Sequence, residues 1–387
     1  MNQGLPVVAG VDVHGWLTGP LPADVARSLD RLAHAPDVRH LAVMPDVHRS
    51  GEVCVGVALA TGGLVYPAAV GGDIGCGMTA VRCDLPAAAV TGESRIVDRF
   101  PELLRHAIPA LKAKPDAVPE RLSGPLDPDR LSDAALARVA SREGRWQLGS
   151  LGRGNHFLEL QADQEGSLWL MVHSGSRGMG QAITAWHLAR AAAPADGAPL
   201  ALDAAGDQGL AYLADVAWAR AWARENRARL VSAAAGVLGS VLGATLDEST
   251  RLDCDHNHVS RESHGGSDVL VHRKGALPAD DGLPGLIPGS MGTASFHTLG
   301  RGHPHALRSS SHGAGRVLPR GEAAARIDAR RLLREMHGVA FDRRHAGRLV
   351  DEAPSAYRDI RTVMRAQRDL TMIHRELRPL VSHKATG

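Results

Sequence analysis

Residues 53–83, VCVGVALATGGLVYPAAVGGDIGCGMTAVRC, decide how this chain folds. The first part, 53–72, carries no charge over about the length of a membrane span. Recurrent glycines, the Gly62-Gly63 pair and Pro67 cut it into pieces too short for a spanning helix. It therefore reads as two or three buried strands joined by a turn. A glycine-rich turn, GGDIGCGM (71–78), follows and leads into another strand, TAVRC (79–83). Upstream, a short helix over about 22–34 feeds a strand, HLAVMPDVH (40–48).

Downstream, HFLELQ (156–161) and LWLMVHS (168–174) read as strands, and residues 207–246 have the alanine content and three- and four-residue apolar spacing of a long helix. Strand patterns return at 268–273 and 283–287, glycine-rich loops fill 288–316, and helices are expected at 322–337 and 357–376. Residues 86–146, richer in proline and charge, read as an insertion or lid. No period of 20–50 residues recurs, which argues against a solenoid or propeller. The pattern is mixed α/β (α+β).

The 387 residues are 44% hydrophobic and 22% charged, enough for a sizeable core and unlike a disordered chain. A net charge of +2 excludes binding of a polyanion by bulk charge, so any such ligand needs a local patch. The four cysteines, Cys54, Cys76, Cys83 and Cys254, fit neither a disulfide framework nor a CxxC zinc knuckle. A reducing cytoplasm is the expected location, and the first residues lack the pattern of a signal peptide.

Histidine is abundant, at 20 residues, and is the commonest metal ligand. In GGDIGCGM, Asp73 and Cys76 lie three apart in a loop that permits sharp turns, so a carboxylate and a thiolate can converge on one cation. Alone, the pair reads more readily as a buried cysteine beside a turn-forming aspartate; the other clusters below tip it toward a metal. GRGNHFLE adds Asn155, His156 and Glu159; HSGSRG adds His173 and Arg177; CDHNHVSRESH adds His256, Asn257, His258, Glu262 and His264. Mixed carboxylate, thiolate and imidazole donors suit Mn, Fe, Co or Zn rather than Mg or Ca.

IPGSMGTAS sets Ser290, Thr293 and Ser295 among glycines, a composition able to offer backbone N–H groups and hydroxyls to phosphate or a base, although no Walker A motif occurs. SSSHGAGR places His312 beside small residues and Arg316, open to a bulky electrophile or simply part of a polar loop. Only four lysines occur, Lys112, Lys114, Lys274 and Lys384, so in an arginine-rich chain Lys274 and Lys384 mark candidate sites for a slender point charge. These residues together describe a two-metal enzyme that handles phosphate, with a candidate histidine nucleophile.

The motifs MPDVH (44–48), YPAAVGGDIGCGM (66–78), LGRGNHFLE (151–159), VHSGSRGMG (172–180), HNHVSRE (256–262), HRKGA (272–276), IPGSMGTAS (287–295), SSHGAGR (310–316), AYRDI (356–360) and LRPLVSHK (377–384) resemble, in order, those of the RtcB family of RNA ligases. The resemblance implies one domain with a layered mixed β core. It implies that Asp73, Cys76, His156, His173 and His256 hold two Mn2+ ions, with Cys76 bridging. His312 matches the histidine that attacks the α-phosphate of GTP. Asn155, Glu159, Asn257, Ser290, Ser295, Gly313, Ala314, Gly315, Arg316, Tyr357 and Lys384 match positions that hold the guanylate, with Glu159, Ser295, Tyr357 and Lys384 on the base side.

The implied reaction joins an RNA 3′-phosphate or 2′,3′-cyclic phosphate end to a 5′-hydroxyl end, in tRNA splicing or RNA repair, with no membrane involved. The sequence departs from the family pattern at RSGE (49–52), which leaves the role of Asp46 and His48 open. Arg177, Arg273, Arg343 and Arg344 are candidate RNA phosphate contacts. Two other readings stand beside this one: a binuclear phosphoesterase or nuclease without guanylylation, and a non-catalytic protein that binds RNA ends. An activating partner protein is not legible from the residues.

Overall fold

A computed structural model describes residues 4–91, 97, 99–191 and 198–385. In chain order the strands are β1 (Asp12–Gly15), β2 (Val38–His48), β3 (Val55–Thr61), β4 (Leu64–Val65), β5 (Gly77–Pro86), β6 (Phe157–Asp163), β7 (Ser167–Ser174), β8 (Leu202–Asp203), β9 (Leu246–Asp255), β10 (Asn257–His264), β11 (Ser267–Lys274), β12 (Ala276–Pro278), β13 (Pro284–Ile287), β14 (Ser295–Gly300), β15 (Ser309–Ser311) and β16 (Thr371–His383). With the helices between them they make the expected mixed α/β architecture.

The largest sheet is antiparallel, in the order β13-β14-β16-β6-β7-β5-β9. Its end strands β13 and β9 touch, so it is nearly closed. Period-2 alternation sorts its side chains. On β7, Leu168, Leu170 and Val172 pack outward with Leu158, Leu160, Phe100 and Leu104, whereas Trp169 and Met171 pack inward with Met78, Phe157 and Phe296. The same alternation sets His173 and Glu159 on the inward face, one step along from Met171 and Phe157.

A second sheet, β1-β2-β3-β11-β10, carries the uncharged stretch. The stretch forms β3 in this sheet and, after the Gly62-Gly63 turn that the sequence predicts, β4, which pairs with β8 in a separate two-stranded sheet. The chain crosses from one sheet to the other between β9 and β10, and His256 is the single residue at that corner.

The long helix runs Asp207–Leu242 and ends at Gly243 in the left-handed conformation. Its first half, including Tyr212, Trp218 and Trp222, packs in one apolar core, and its second half, including Leu230 and Leu238, packs against the outer face of the large sheet. Of residues 86–146, expected as an insertion or lid, 92–96 and 98 lie outside the described residues. Among the rest, Phe100, Leu104 and Ile108 join the outer core, and Leu122, Leu126, Leu131 and Leu136 pack against the long helix.

The C-terminal expectation is corrected. The helix foreseen over 357–376 covers only Ile360–Ala366, and Thr371–His383 forms β16, paired with both β6 and β14. Local helical spacing gives way here to ladder bonds on two sides of a central strand. Likewise the 322–337 helix is two short ones, Arg320–Arg326 and Ala329–Glu335, the second capped by Asp328. Strands β9 and β10 are additional to the sequence reading.

Candidate active site

The strand register brings the sequence-separated donors together. Gly77 pairs with Ser174 on one side and Asp255 on the other, so Cys76, His173 and His256 lie at one end of three adjacent strands. Two donor groups share the thiol: Cys76 with His173 and His256, and Cys76 with Asp73 and His156. Cys76 Sγ is 3.2 Å from His173 Nε2 and 3.5 Å from His156 Nε2, and His156 Nε2 is 2.9 Å from Asp73 Oδ2. All five expected ligands thus meet at one place.

Their surroundings fit a metal centre. His156 Nδ1 donates to the Leu151 carbonyl (3.0 Å) and His173 Nδ1 to the Asn155 carbonyl (3.1 Å). A carbonyl only accepts, so these bonds fix the tautomer and leave each Nε2 lone pair facing Cys76. Asp73 Oδ1 and His256 Nδ1 are buried without a hydrogen-bond partner. Burial, with neighbouring imidazoles, keeps His173 and His256 well below the usual histidine range and so neutral. Burial and the Asp73 carboxylate push the Cys76 thiol far up. A cation at the shared position would reverse that last effect by stabilising the thiolate.

The long helix braces this cluster from behind. Arg227, 1% exposed, donates to the carbonyls of Gly75 (2.9 Å) and Ser174 (3.2 Å), next to Cys76 and His173, and is itself held by Asp253. Gly175 is required for close approach, since a Cβ there would run into the Asp73 carboxylate.

His312 sits against the cluster, its ring centroid 4.6 Å from that of His256. Its Nδ1 is 2.7 Å from Asp46 Oδ2, which also accepts the His312 backbone N–H at 3.2 Å. With Nδ1–H given to the carboxylate, the lone pair is on Nε2. Gly275, with φ +62°, leaves room beside the ring, for a Cβ there would lie 3.0 Å from His312 Cε1.

A cavity of about 780 Å³ opens from this point. Asp73, Cys76, His173, His256 and His312 line it together with Asn155, Glu159, Asn257, Ser290, Gly313, Ala314, Gly315, Arg316, Tyr357 and Lys384. Asn257 also links elements, donating to the Asp73 carbonyl (3.0 Å) and accepting from Gly275 N (2.8 Å). Ser295 does not line the cavity. It is buried, and its Oγ accepts from Gln161 Nε2 (3.1 Å), which also donates to Glu159 (2.8 Å). Burial outweighs those bonds and raises Glu159 to about 7.

At the far wall, Glu352 gathers the cations. It accepts from Lys384 Nζ (2.6 Å) and Tyr357 OH (2.8 Å), and it pairs with Arg316 and Arg320. Burial alone would raise its carboxyl, but Lys384 and Arg320 hold it below the usual range. Arg316 also donates to Tyr357 OH at 2.9 Å.

A family-wide sequence model described as "tRNA-splicing ligase RtcB" matches residues 28–385. The chain belongs to the RtcB family. It is 34% identical to the RNA-splicing ligase RtcB of Escherichia coli K12, over 99% of this chain and all of that protein. It is 32% identical to the RNA-splicing ligase RtcB of Mycobacterium tuberculosis, over 85% of this chain and 92% of the relative. The tRNA-splicing ligase RtcB of the archaeon Pyrobaculum aerophilum is 30% identical over 84% and 83%.

Asp46 and Glu352 were not assigned by sequence reasoning. Asp46 lies in MPDVH, one of the RtcB-like motifs, but its partner is remote in sequence; Glu352 carries no local signal. Of the two singled-out lysines, Lys384 lines the cavity, whereas Lys274 donates to the carbonyls of Val53 (2.7 Å) and Ser50 (3.4 Å), bracing that loop. Arg273 is a correction: 1% exposed and bound to Glu262 and the Leu307 carbonyl, it does not offer itself to RNA. No helix among the described residues is long and apolar enough to cross a membrane.

Proposed function

We propose that this chain is a GTP- and Mn2+-dependent RNA ligase that joins an RNA 3′-phosphate, or a 2′,3′-cyclic phosphate once opened by water, to a 5′-hydroxyl through guanylylated His312. The observation that carries the reading is the seating of the His312 ring beside the shared-cysteine cluster, with Nδ1 tied to Asp46. Membership of the RtcB family supports an RNA substrate.

Two divalent cations, held by Asp73, Cys76, His156, His173 and His256, would offset negative charge on the phosphate oxygens. The protein's own groups supply the rest. His312 Nε2 attacks the α-phosphorus in line; an N–P bond forms and the bond to pyrophosphate breaks. Asp46 keeps the Nδ1 proton in place and steadies positive charge that develops on the ring. An oxygen of the RNA 3′-phosphate then takes the guanylate from His312, and Nε2 recovers its lone pair. The 5′-hydroxyl of the second RNA displaces GMP and leaves a 3′,5′-phosphodiester.

Glu159 offers an acceptor for the N1 and N2 hydrogens of guanine, and Lys384 a donor for O6, features adenine would mismatch. Ser295 acts through Gln161, and Tyr357, placed by Glu352 and Arg316, forms a wall for the base. Asn155, Asn257, Ser290, Gly313, Ala314, Gly315 and Arg316 complete the guanylate site.

The test is ligation of RNAs with defined ends, with Mn2+ and GTP. A product should form from 3′-phosphate and 5′-hydroxyl ends and not from 3′-hydroxyl and 5′-phosphate ends. Cyclic-phosphate hydrolysis with no GTP-dependent joining would favour the phosphoesterase reading.

A further inference from the structure

Outside the active site, three imidazoles from three separate segments surround one carboxylate. Asp12 on β1 is the register partner of His40 on β2. His14 Nε2 lies 2.7 Å from Asp12 Oδ1, His40 Nδ1 3.4 Å from Oδ2, and His305 Nδ1, from the short turn Pro304–Ala306, 3.5 Å from Oδ2. The His14 and His305 rings are 4.3 Å apart, and those of His14 and His40 5.6 Å. One donor atom each from Asp12, His14 and His305 fits within 4.8 Å of the others.

Two features of this cluster point to a cation. First, His40 Nε2 is 2.8 Å from the His305 carbonyl and must donate there, which turns the Nδ1 lone pair of a neutral ring toward the Asp12 carboxylate. A neutral His40 ring thus presents its Nδ1 lone pair 3.4 Å from Asp12 Oδ2, two donors that one cation can share. Second, two of the three spacings are those of a coordination shell, while the 2.7 Å His14–Asp12 contact is a hydrogen bond that a bound ion would replace. Donors about 2.0–2.2 Å from one ion at tetrahedral angles lie roughly 3.4 Å apart, and the His40 and His305 nitrogens stand at 3.4 and 3.5 Å from the same oxygen.

We propose that Asp12, His14 and His305, with His40 beside Asp12 able to close the shell, form a second metal site for a borderline transition-metal dication such as Zn2+ or Ni2+, clipping β1 to the Pro304–Ala306 turn. Three imidazoles and one carboxylate match the N-rich preference of these ions and contrast with the thiolate-sharing cluster at the active site. Among the described residues strand β1 pairs only with β2, at the sheet edge, so a bound ion tethers an element that few backbone bonds hold. The partial exposure of Asp12 and His305 leaves an entry path and makes the site an exchangeable one.

The experiment compares total bound Ni2+, by equilibrium dialysis and elemental analysis, in the full-length wild type and in a His14→Ala/His305→Ala variant. Wild type should bind one equivalent more than the variant at tens of micromolar free Ni2+, while both retain the same Mn2+-dependent GTP labelling. Asp12→Asn, which preserves the packing, should weaken that extra equivalent at least tenfold. Ni2+ should also slow hydrogen exchange at residues 12–15 in wild type and not in the variants. Equal Ni2+ stoichiometry in wild type and the double variant, or unchanged affinity in Asp12→Asn, overturns the proposal whether or not the chain ligates RNA.

Discussion

The carboxylate of Asp46 grips His312 twice, through the ring Nδ1 at 2.7 Å and the backbone N–H at 3.2 Å, although the residues are 266 positions apart. Asp46 is fully buried at the end of β2, and its backbone carbonyl accepts from Arg358, which also donates to the carbonyls of Arg316 and Val47. The loop bearing the candidate nucleophile is thus fastened to the second sheet. Ring tautomer and aim follow from that fastening, not from the SSSHGAGR sequence itself.

Asp46→Asn should therefore leave the fold intact and slow guanylylation by about 10²-fold or more, because an amide can favour the wrong tautomer and cannot offset imidazolium charge. Single-turnover labelling with GTP measures the rate, and far-UV circular dichroism checks the fold.

Cys76 is common to both donor groups. Cys76→Ser should lower bound Mn2+ from two equivalents toward one or none by elemental analysis and abolish labelling. In wild type, chelation should abolish labelling reversibly, with Mn2+ restoring it.

Glu159 is held near 7, above the ordinary glutamate value, chiefly by burial. Below that pH it is neutral and a poorer acceptor for guanine N–H groups; above it the carboxylate is available. The preference for GTP over ATP should thus increase as pH rises through about 7. Taking the ratio cancels titration of the triphosphate common to both nucleotides. Glu159→Gln should flatten this dependence and lower the preference.

Glu352→Gln leaves Lys384 and Arg316 without their buried anion. Loss of one partner from a buried ion pair costs about 3–5 kcal/mol, so urea unfolding should shift by that order. Lys384→Met in the same background should recover part of the loss in stability while GTP affinity stays low, separating the packing role of the pair from its role at the base.

Much of this was legible in local sequence. The uncharged stretch broken by Gly62-Gly63 gave β3 and β4, the alternation in LWLMVHS gave β7, and the apolar spacing gave the long helix. The family motifs named the five residues of the candidate metal cluster and ten further residues that line the cavity beside His312, with Ser295 reaching it only through Gln161; Glu352 and Arg320, also in its wall, they did not name. What was not legible depends on partners distant in the chain. Thr371–His383 is a strand only because β6 and β14 flank it, and β9 is a polar strand whose ladder lies with the remote β5, whereas β10 forms a local hairpin with β11 across Gly265-Gly266. Asp46 and Glu352 gain their roles from contacts across 266 and 32 residues, which no spacing rule encodes.

The most direct test of the central claim is covalent labelling of the purified protein by GTP radiolabelled at the α-phosphate in the presence of Mn2+. The account predicts one label per chain, stable to alkali, released by acid as expected for an N–P bond, mapped to His312 and absent from His312→Ala. Full labelling of His312→Ala, or no labelling of metal-loaded wild type, would contradict it.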